Sequence, residues 1–67
     1  MKEKVESKLH EVRLRADITQ ERLSEKVGVS RQTIIAIEKG NYVPSVLLAL
    51  KLAHFFRVPV EELFYLQ

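Results

Sequence analysis

Apolar positions along this chain recur at helical spacing, and polar capping residues punctuate them. Val5, Leu9, Val12 and Ala16 fall at i, i+4, i+7 and i+11, the spacing of one helix face. They predict a first helix whose ordered part is capped by Ser7, with the residues before it fraying. The pattern breaks at Asp17-Ile18. Thr19 then reads as an N-cap, with Glu21 placed against the positive end of the helix dipole. Leu23 and Val27 form the stripe of a second helix of about nine residues, which Gly28 ends with a tight turn. Val29 adds one apolar residue to that turn. Ser30 caps a third helix that runs to about Lys39, with Ile34 and Ile37 inward and Gly40 as its stop. Asn41-Tyr42-Val43-Pro44 is a loop whose proline delays the restart. Ser45 caps a fourth helix to about Phe56, with Leu48, Leu52 and Phe56 on its inner side. Val58-Pro59 breaks it, and Val60 to Phe64 predicts a short fifth helix. The expectation is an all-α single domain of five short helices over residues 1–67, without strands.

Sixty-seven residues leave room for one core. Apolar residues make up 46% and charged residues 30%, a globular balance that excludes a disordered or fibrous chain. There is no Cys, so neither a disulfide framework nor a thiolate metal site can form. The longest apolar run, Val46 to Leu50, is far short of the roughly 20 residues that span a bilayer. Met1-Lys2-Glu3-Lys4 is charged with no apolar stretch after it, so no signal peptide is expected. A reducing, cytoplasmic setting is expected, and a large enzyme is ruled out. The net charge of +2 is unevenly placed. Residues 1–34 hold eight Lys/Arg against six Asp/Glu, and residues 35–67 hold three against three. That asymmetry suits an anionic partner, and it equally suits an ordinary salt-bridged surface.

Thr19 to Gly40 carries the most information: a capped helix, a glycine turn and a second capped helix. Two helices joined in this way form a helix-turn-helix unit, here over residues 19–39. Leu23, Val27, Val29, Ile34 and Ile37 can make the shared core that sets the crossing angle. Arg31, Gln32, Ile35, Ala36 and Lys39 face away on the third helix, and none is acidic. Arg and Gln are also the side chains that pair bidentately with guanine and adenine edges. Spacing alone leaves a second reading open, a helical hairpin whose polar face is merely solvated.

The stretch Thr19-Gln20-Glu21-Arg22-Leu23-Ser24-Glu25-Lys26-Val27-Gly28-Val29-Ser30-Arg31-Gln32-Thr33-Ile34-Ile35-Ala36-Ile37-Glu38-Lys39-Gly40 resembles the helix-turn-helix of lambda-repressor/Cro-like regulators. That family's pattern reads T-Q-x-x-L-A-x-x-x-G-V-S-x-x-x-I-x-x-x-E-x-G. Pro44-Ser45, Leu50 to Phe56 and Glu61-Glu62-Leu63-Phe64 extend the match, so that it covers Leu9 to Phe64. Two positions depart from the pattern: Ser24 replaces a small Ala under the helix crossing, and Pro59 replaces the usual Ser or Thr cap. The resemblance implies a sequence-specific, double-stranded-DNA-binding transcriptional regulator, a dimeric repressor reading the major groove with helix 30–39. It implies that Arg31, Gln32, Thr33 and Ala36 meet base edges. It also implies that Gln20, Ser30, Lys39, Asn41 and Tyr42 hold phosphates, which fix register while base contacts choose sequence. Ile35 has two readings, a contact to a thymine methyl or a turn toward the fourth helix. Arg13 and Glu38 match a family ion pair that locks the first helix to the third; two separate surface charges are the alternative.

Other features carry less. His10 and His54 stand 44 residues apart on different helices, and no metal site is expected. Glu61 and Glu62 are adjacent on a helix, so their carboxylates diverge and acid–base work is not expected. The serines read as caps or packing residues, and no nucleophile has a base. No cofactor, small-molecule substrate or membrane contact is expected. Without space for a sensing domain, regulation would come from abundance, degradation or a partner protein. An alternative function is an antitoxin-like module that neutralises a partner protein and represses its own promoter. The fourth helix carries more apolar surface than one face needs, because Val46, Leu47, Leu50 and Phe55 remain for other neighbours. Leu63 and Phe64 are expected to close the core under the first helix. Phe55, Tyr65 and Leu66 are expected to form a two-fold contact that sets the recognition helices about 34 Å apart. Alternatively, Tyr65 and Leu66 fold back on their own core.

Overall fold

The computed structural model describes residues 3–67. Four α-helices, α1 (Leu9–Arg15), α2 (Gln20–Val27), α3 (Arg31–Glu38) and α4 (Val46–Phe56), pack around one apolar cluster. A 3-10 turn follows at Val60–Glu62. Two short strands, β1 (Val5–Ser7) and β2 (Phe64–Leu66), pair antiparallel, with Val5 opposite Leu66, Glu6 opposite Tyr65 and Ser7 opposite Phe64. Leu9, Leu23, Ile34, Ile37, Leu52 and Leu63 are fully buried, and Val12, Val27, Leu48 and Ala53 complete the cluster.

The caps are local chemistry. Thr19 Oγ1 accepts from the Arg22 N–H at 3.0 Å, Ser30 Oγ from Thr33 N–H at 3.2 Å, and Ser45 Oγ from Leu48 N–H at 3.1 Å. Gly28 closes α2 in the left-handed region at φ +79°, where a Cβ would be strained. Ser24 is buried, and its hydroxyl donates to the Glu21 carbonyl at 2.6 Å. The helix crossing therefore tolerates a serine there, because its polar atom is satisfied within its own turn.

Three expectations are corrected. The fold is mostly helical but not all-α, and it has four helices where five were expected. The segment Val60 to Phe64 gives only a 3-10 turn, after which Phe64-Tyr65-Leu66 continues as β2. Aromatic and branched residues favour that extended conformation once a partner strand is present. That partner is the second correction. Val5 is not on the first helix, and the residues before Ser7 do not fray where they are described: Val5–Ser7 is β1. The fraying expected of Met1 and Lys2, and the charge reading of the start, fall partly outside the described residues. Ser7 Oγ accepts from Leu9 N–H at 3.2 Å, while Lys8 holds the N-cap position and donates its N–H to the Leu63 carbonyl at 2.7 Å. Thirdly, Ala16 is exposed. It is the C-cap of α1, where the chain turns away through Asp17 at φ +56°.

Candidate nucleic-acid interface

α2 and α3 are joined by Gly28-Val29-Ser30, and Val29 packs against the core so that the two helices cross tightly. Ile34 and Ile37 anchor α3 inward at 0% exposure. This burial fixes which side of α3 faces out. Arg31, Gln32 and Lys39 are exposed, whereas Thr33, Ile35 and Ala36 are half-buried. Ile35 and Ala36 thus face outward only in part. Asn41 and Tyr42 stand exposed in the loop that follows, and Gly40 at φ +79° turns the chain into it. No acidic residue lies in the first turn of α3. The Ser30 and Thr33 hydroxyls lie 3.0 Å apart, so their capping bond leaves one hydroxyl hydrogen free between them.

An open cleft of about 460 Å³ runs between the starts of α2 and α3, lined by Arg13, Thr19, Gln20, Glu21 and Arg31. Beneath it lies a polar junction of three helices. Arg13 Nε donates to Glu38 Oε2 at 2.6 Å, and Arg13 Nη1 donates to the Ile18 carbonyl at 2.8 Å. Gln20 Nε2 donates to Glu38 Oε1 at 3.0 Å. Both charged side chains are withdrawn from water, with Arg13 at 9% and Glu38 at 5% side-chain exposure. Burial is the largest influence on Glu38 and by itself would raise its pKa. The hydrogen bonds from Arg13, Gln20 and His10, together with the charge of Arg13, outweigh it and hold the carboxyl below its ordinary value. Glu38 stays ionised and ties α3 to α1 and α2.

His10 belongs to this junction, although the sequence reading gave it no role. Its Nδ1 lies 3.1 Å from Glu38 Oε1 and 3.2 Å from Arg13 Nη2. The available signal was the i, i+3 spacing of His10 and Arg13, which sets both on one side of α1. Among the described residues no three His, Asp or Glu side chains could together hold a metal ion. No helix there is long and apolar enough to cross a membrane.

Phe55 and the pair Tyr65 and Leu66 line different grooves. Phe55 is half-buried, stacks edge-on against Phe56 at 4.9 Å and lines a groove with Lys26, Val27, Lys51 and His54. Tyr65 and Leu66 are exposed, and line a different, apolar groove with Val5, Phe64 and Glu61. The outer side of α4 leaves Val46, Leu47 and Leu50 at 76%, 66% and 54% exposure.

The helix-turn-helix family profile matches residues 9–63 of this chain. YgzD of Bacillus subtilis, an uncharacterised HTH-type transcriptional regulator, is 51% identical over 63 residues, covering 94% of this chain and 96% of that protein. A regulator of the same description from Methanocaldococcus jannaschii is 55% identical over 60 residues, covering 90% of this chain and 91% of its own length. The cryptic phage CTXphi transcriptional repressor RstR of Vibrio cholerae is 39% identical over 57 residues, or 85% of this chain and 51% of that protein. Among solved structures, the restriction-modification controller protein C.AhdI of Aeromonas hydrophila matches with a TM-score of 0.75 at 30% identity, covering 81% of this chain and 82% of that one. With Arg31, Gln32 and Lys39 displayed on the exposed side of α3 and the profile spanning all four helices, the chain belongs to the Cro/lambda-repressor-like helix-turn-helix family of DNA-binding transcriptional regulators.

Proposed function

We propose that this protein is a dimeric, sequence-specific repressor that inserts α3 into the major groove of double-stranded DNA. The observation that carries this reading is the start of α3, where Arg31 and Gln32 are exposed and the first turn of the helix holds no carboxylate. Arg31 and Gln32 reach base edges, with Thr33, Ile35 and Ala36 closing on the bases behind them. Gln20, Ser30, Lys39, Asn41 and Tyr42 hold the flanking phosphates and set the register. The two-fold contact uses Tyr65 and Leu66 on β2, whose apolar side chains are in water in the single chain. A small domain that reads one half-site gains both affinity and operator symmetry from a second copy.

Selection from a random duplex pool at fixed salt, followed by titration of the selected site, tests this. Each subunit of a dimer neutralising three or four phosphates gives a slope of about −6 in log K against log salt. A slope shallower than about −2 overturns the reading. Gln32→Ala weakens the selected site by about 1–3 kcal/mol and leaves random duplex unchanged, whereas Lys39→Ala weakens both alike. Sedimentation of Tyr65→Lys and Leu66→Lys against Leu47→Lys and Leu50→Lys identifies the two-fold face. Dimerisation lost only in the second pair moves the contact to α4.

A further inference from the structure

Each strand of the small sheet uses one side for its pairing. Lys8 N–H donates to the Leu63 carbonyl at 2.7 Å, and Gln67 N–H donates to the Lys4 carbonyl at 3.0 Å. Between these two bonds, Val5 lies opposite Leu66, Glu6 opposite Tyr65 and Ser7 opposite Phe64. An antiparallel ladder alternates hydrogen-bonded and non-hydrogen-bonded pairs. The bonded positions are therefore Lys4, Glu6 and Lys8 against Gln67, Tyr65 and Leu63. The N–H and C=O groups of Phe64 and Leu66 point the other way, along the outer edge of β2. Among the described residues no backbone group bonds to them there. The two outer edges of the sheet differ in protection. That of β1 runs past Lys4 and Glu6, whose side chains pair at 3.9 Å, and charges on an edge oppose pairing with another chain. Phe64-Tyr65-Leu66 carries no charge and no proline, and Tyr65 and Leu66 are exposed. The edge of β2 is unguarded.

We propose that the outer edge of β2 pairs antiparallel with β2 of a second copy, joining two ribbons into one four-stranded sheet across a two-fold axis. The register is centred on Tyr65, so that Tyr65 faces the partner's Tyr65 and Phe64 faces the partner's Leu66. This inference rests on the reading of Tyr65 and Leu66 as the two-fold contact, and adds its chemistry: backbone hydrogen bonds in one register. A second copy fits because the edge complements itself. Phe64 and Leu66 stand symmetrically about Tyr65, so each N–H meets a C=O of the partner when the strand is turned through the axis. Charge favours the same occupant. An isologous contact sets each group near the axis against its own copy, and like charges directly opposite repel. β2 brings none there. The side chains agree as well. Val5, Phe64 and Leu66 lie on one face of the sheet and line an apolar groove with Glu61 and Tyr65. Pairing in this register sets the partner's Leu66 beside Phe64 and the partner's Phe64 beside Leu66, continuing that apolar face across the axis. Two three-residue strands make a marginal sheet, and four make a sturdier one.

Two measurements on the full chain test this. The sequence has no cysteine, so one introduced thiol reports one position. In the proposed register the two Tyr65 Cα atoms form a non-hydrogen-bonded pair about 4.5 Å apart, within disulfide reach. The two Leu66 side chains are diagonal neighbours, about 7–8 Å apart and beyond it. Under mild oxidation Tyr65→Cys is expected to give the cross-linked dimer, and Leu66→Cys to lag far behind. Equal cross-linking of the two overturns the register. The second measurement removes a backbone donor and keeps every side chain. A chain made by chemical synthesis with the Leu66 nitrogen methylated is compared by sedimentation with one methylated at Val5, on the outer edge of β1. Both leave the inward bonds of the ribbon intact. Methylation at Leu66 is expected to raise the dimer dissociation constant roughly thirtyfold, because the axis doubles the single lost hydrogen bond. Methylation at Val5 leaves it unchanged. If Tyr65→Lys abolishes the dimer and methylation at Leu66 does not, the two-fold contact of the proposed function stands and strand pairing is wrong. If neither matters and Leu50→Lys abolishes it, both are wrong. A chain that stays monomeric at high concentration overturns self-pairing and leaves the edge to a strand of another protein.

Discussion

The junction of α1, α2 and α3 and the outer side of α4 invert the usual placement of side chains in opposite senses. At the junction, Arg13 and Glu38 are almost entirely withdrawn from water. Along α4, Val46, Leu47 and Leu50 remain largely in it. The junction is complete within the chain: among the described residues no buried side-chain nitrogen or oxygen lacks a partner. Among the described residues no element covers the α4 stripe. Buried charges interact directionally and are severe about geometry, whereas apolar contact is non-directional and scales with area. The first region therefore fixes the attitude of α3, and the second can meet surfaces of varied shape.

The sharpest way to break this comparison is Arg13→Met, which removes the guanidinium from the buried Glu38 carboxylate and leaves only Gln20 and His10 beside it. It is expected to lower stability by about 3 kcal/mol, read as a shifted urea midpoint at unchanged slope. Arg13→Met combined with Glu38→Leu should recover most of that loss, since a packed apolar pair replaces an ion pair at little net cost. An unchanged midpoint in the single variant would mean that the junction is as permissive as α4. Acid provides a milder probe of the same region. The Glu38 carboxyl is held below its ordinary value of 4.5 in the folded state, so its contribution is complete above that value. The contribution fades as pH falls through the lower, folded value. Stability should therefore decline on acidification below pH 4.5 in the native chain, and decline less in Glu38→Gln.

Smaller effects are expected at α4. Arg57 caps this helix in the left-handed region at φ +59°, a conformation that costs a side-chain-bearing residue roughly 1 kcal/mol. Arg57→Gly is expected to raise the thermal midpoint slightly, the relief of strain exceeding the added freedom of the unfolded chain. Leu47→Glu and Leu50→Glu should change stability by less than about 0.5 kcal/mol at a concentration where the chain is monomeric. A larger loss would show that the stripe is part of the fold's own core.

The parts of the fold legible in the sequence are those with local causes. Thr19, Ser30 and Ser45 cap helices because each hydroxyl reaches an N–H three residues on. Gly28 and Gly40 turn the chain because only a residue without Cβ sits freely at positive φ. The β1–β2 pairing had no such signal. Val5-Glu6-Ser7 is too short to show alternation, and its partner lies at the far end of the chain. The apolar spacing from Val5 to Ala16 therefore read as one helix face. At the site, periodicity identified the exposed residues Arg31, Gln32 and Lys39 from the inward Ile34 and Ile37. The junction was only half legible. Arg13 and Glu38 stood out through the family pattern, but Gln20 and His10 meet Glu38 through the folded arrangement of three helices.

The small sheet also bears on the order of events in folding. The helical turns and caps form from neighbours a few residues apart, on the fast timescale of helix–coil exchange. Pairing Val5 with Leu66 requires nearly the whole chain to close on itself, which carries the largest loop-closure entropy in the molecule. Docking of the ends therefore follows helix packing. It also couples them: the Lys8 N–H bonded to the Leu63 carbonyl joins the entry to α1 to a fully buried core residue. Fraying of β1 removes the partner of β2 and loosens Leu63 at the same time. In hydrogen exchange the two strands should open as one unit, at a free energy below that of the α2–α3 pair.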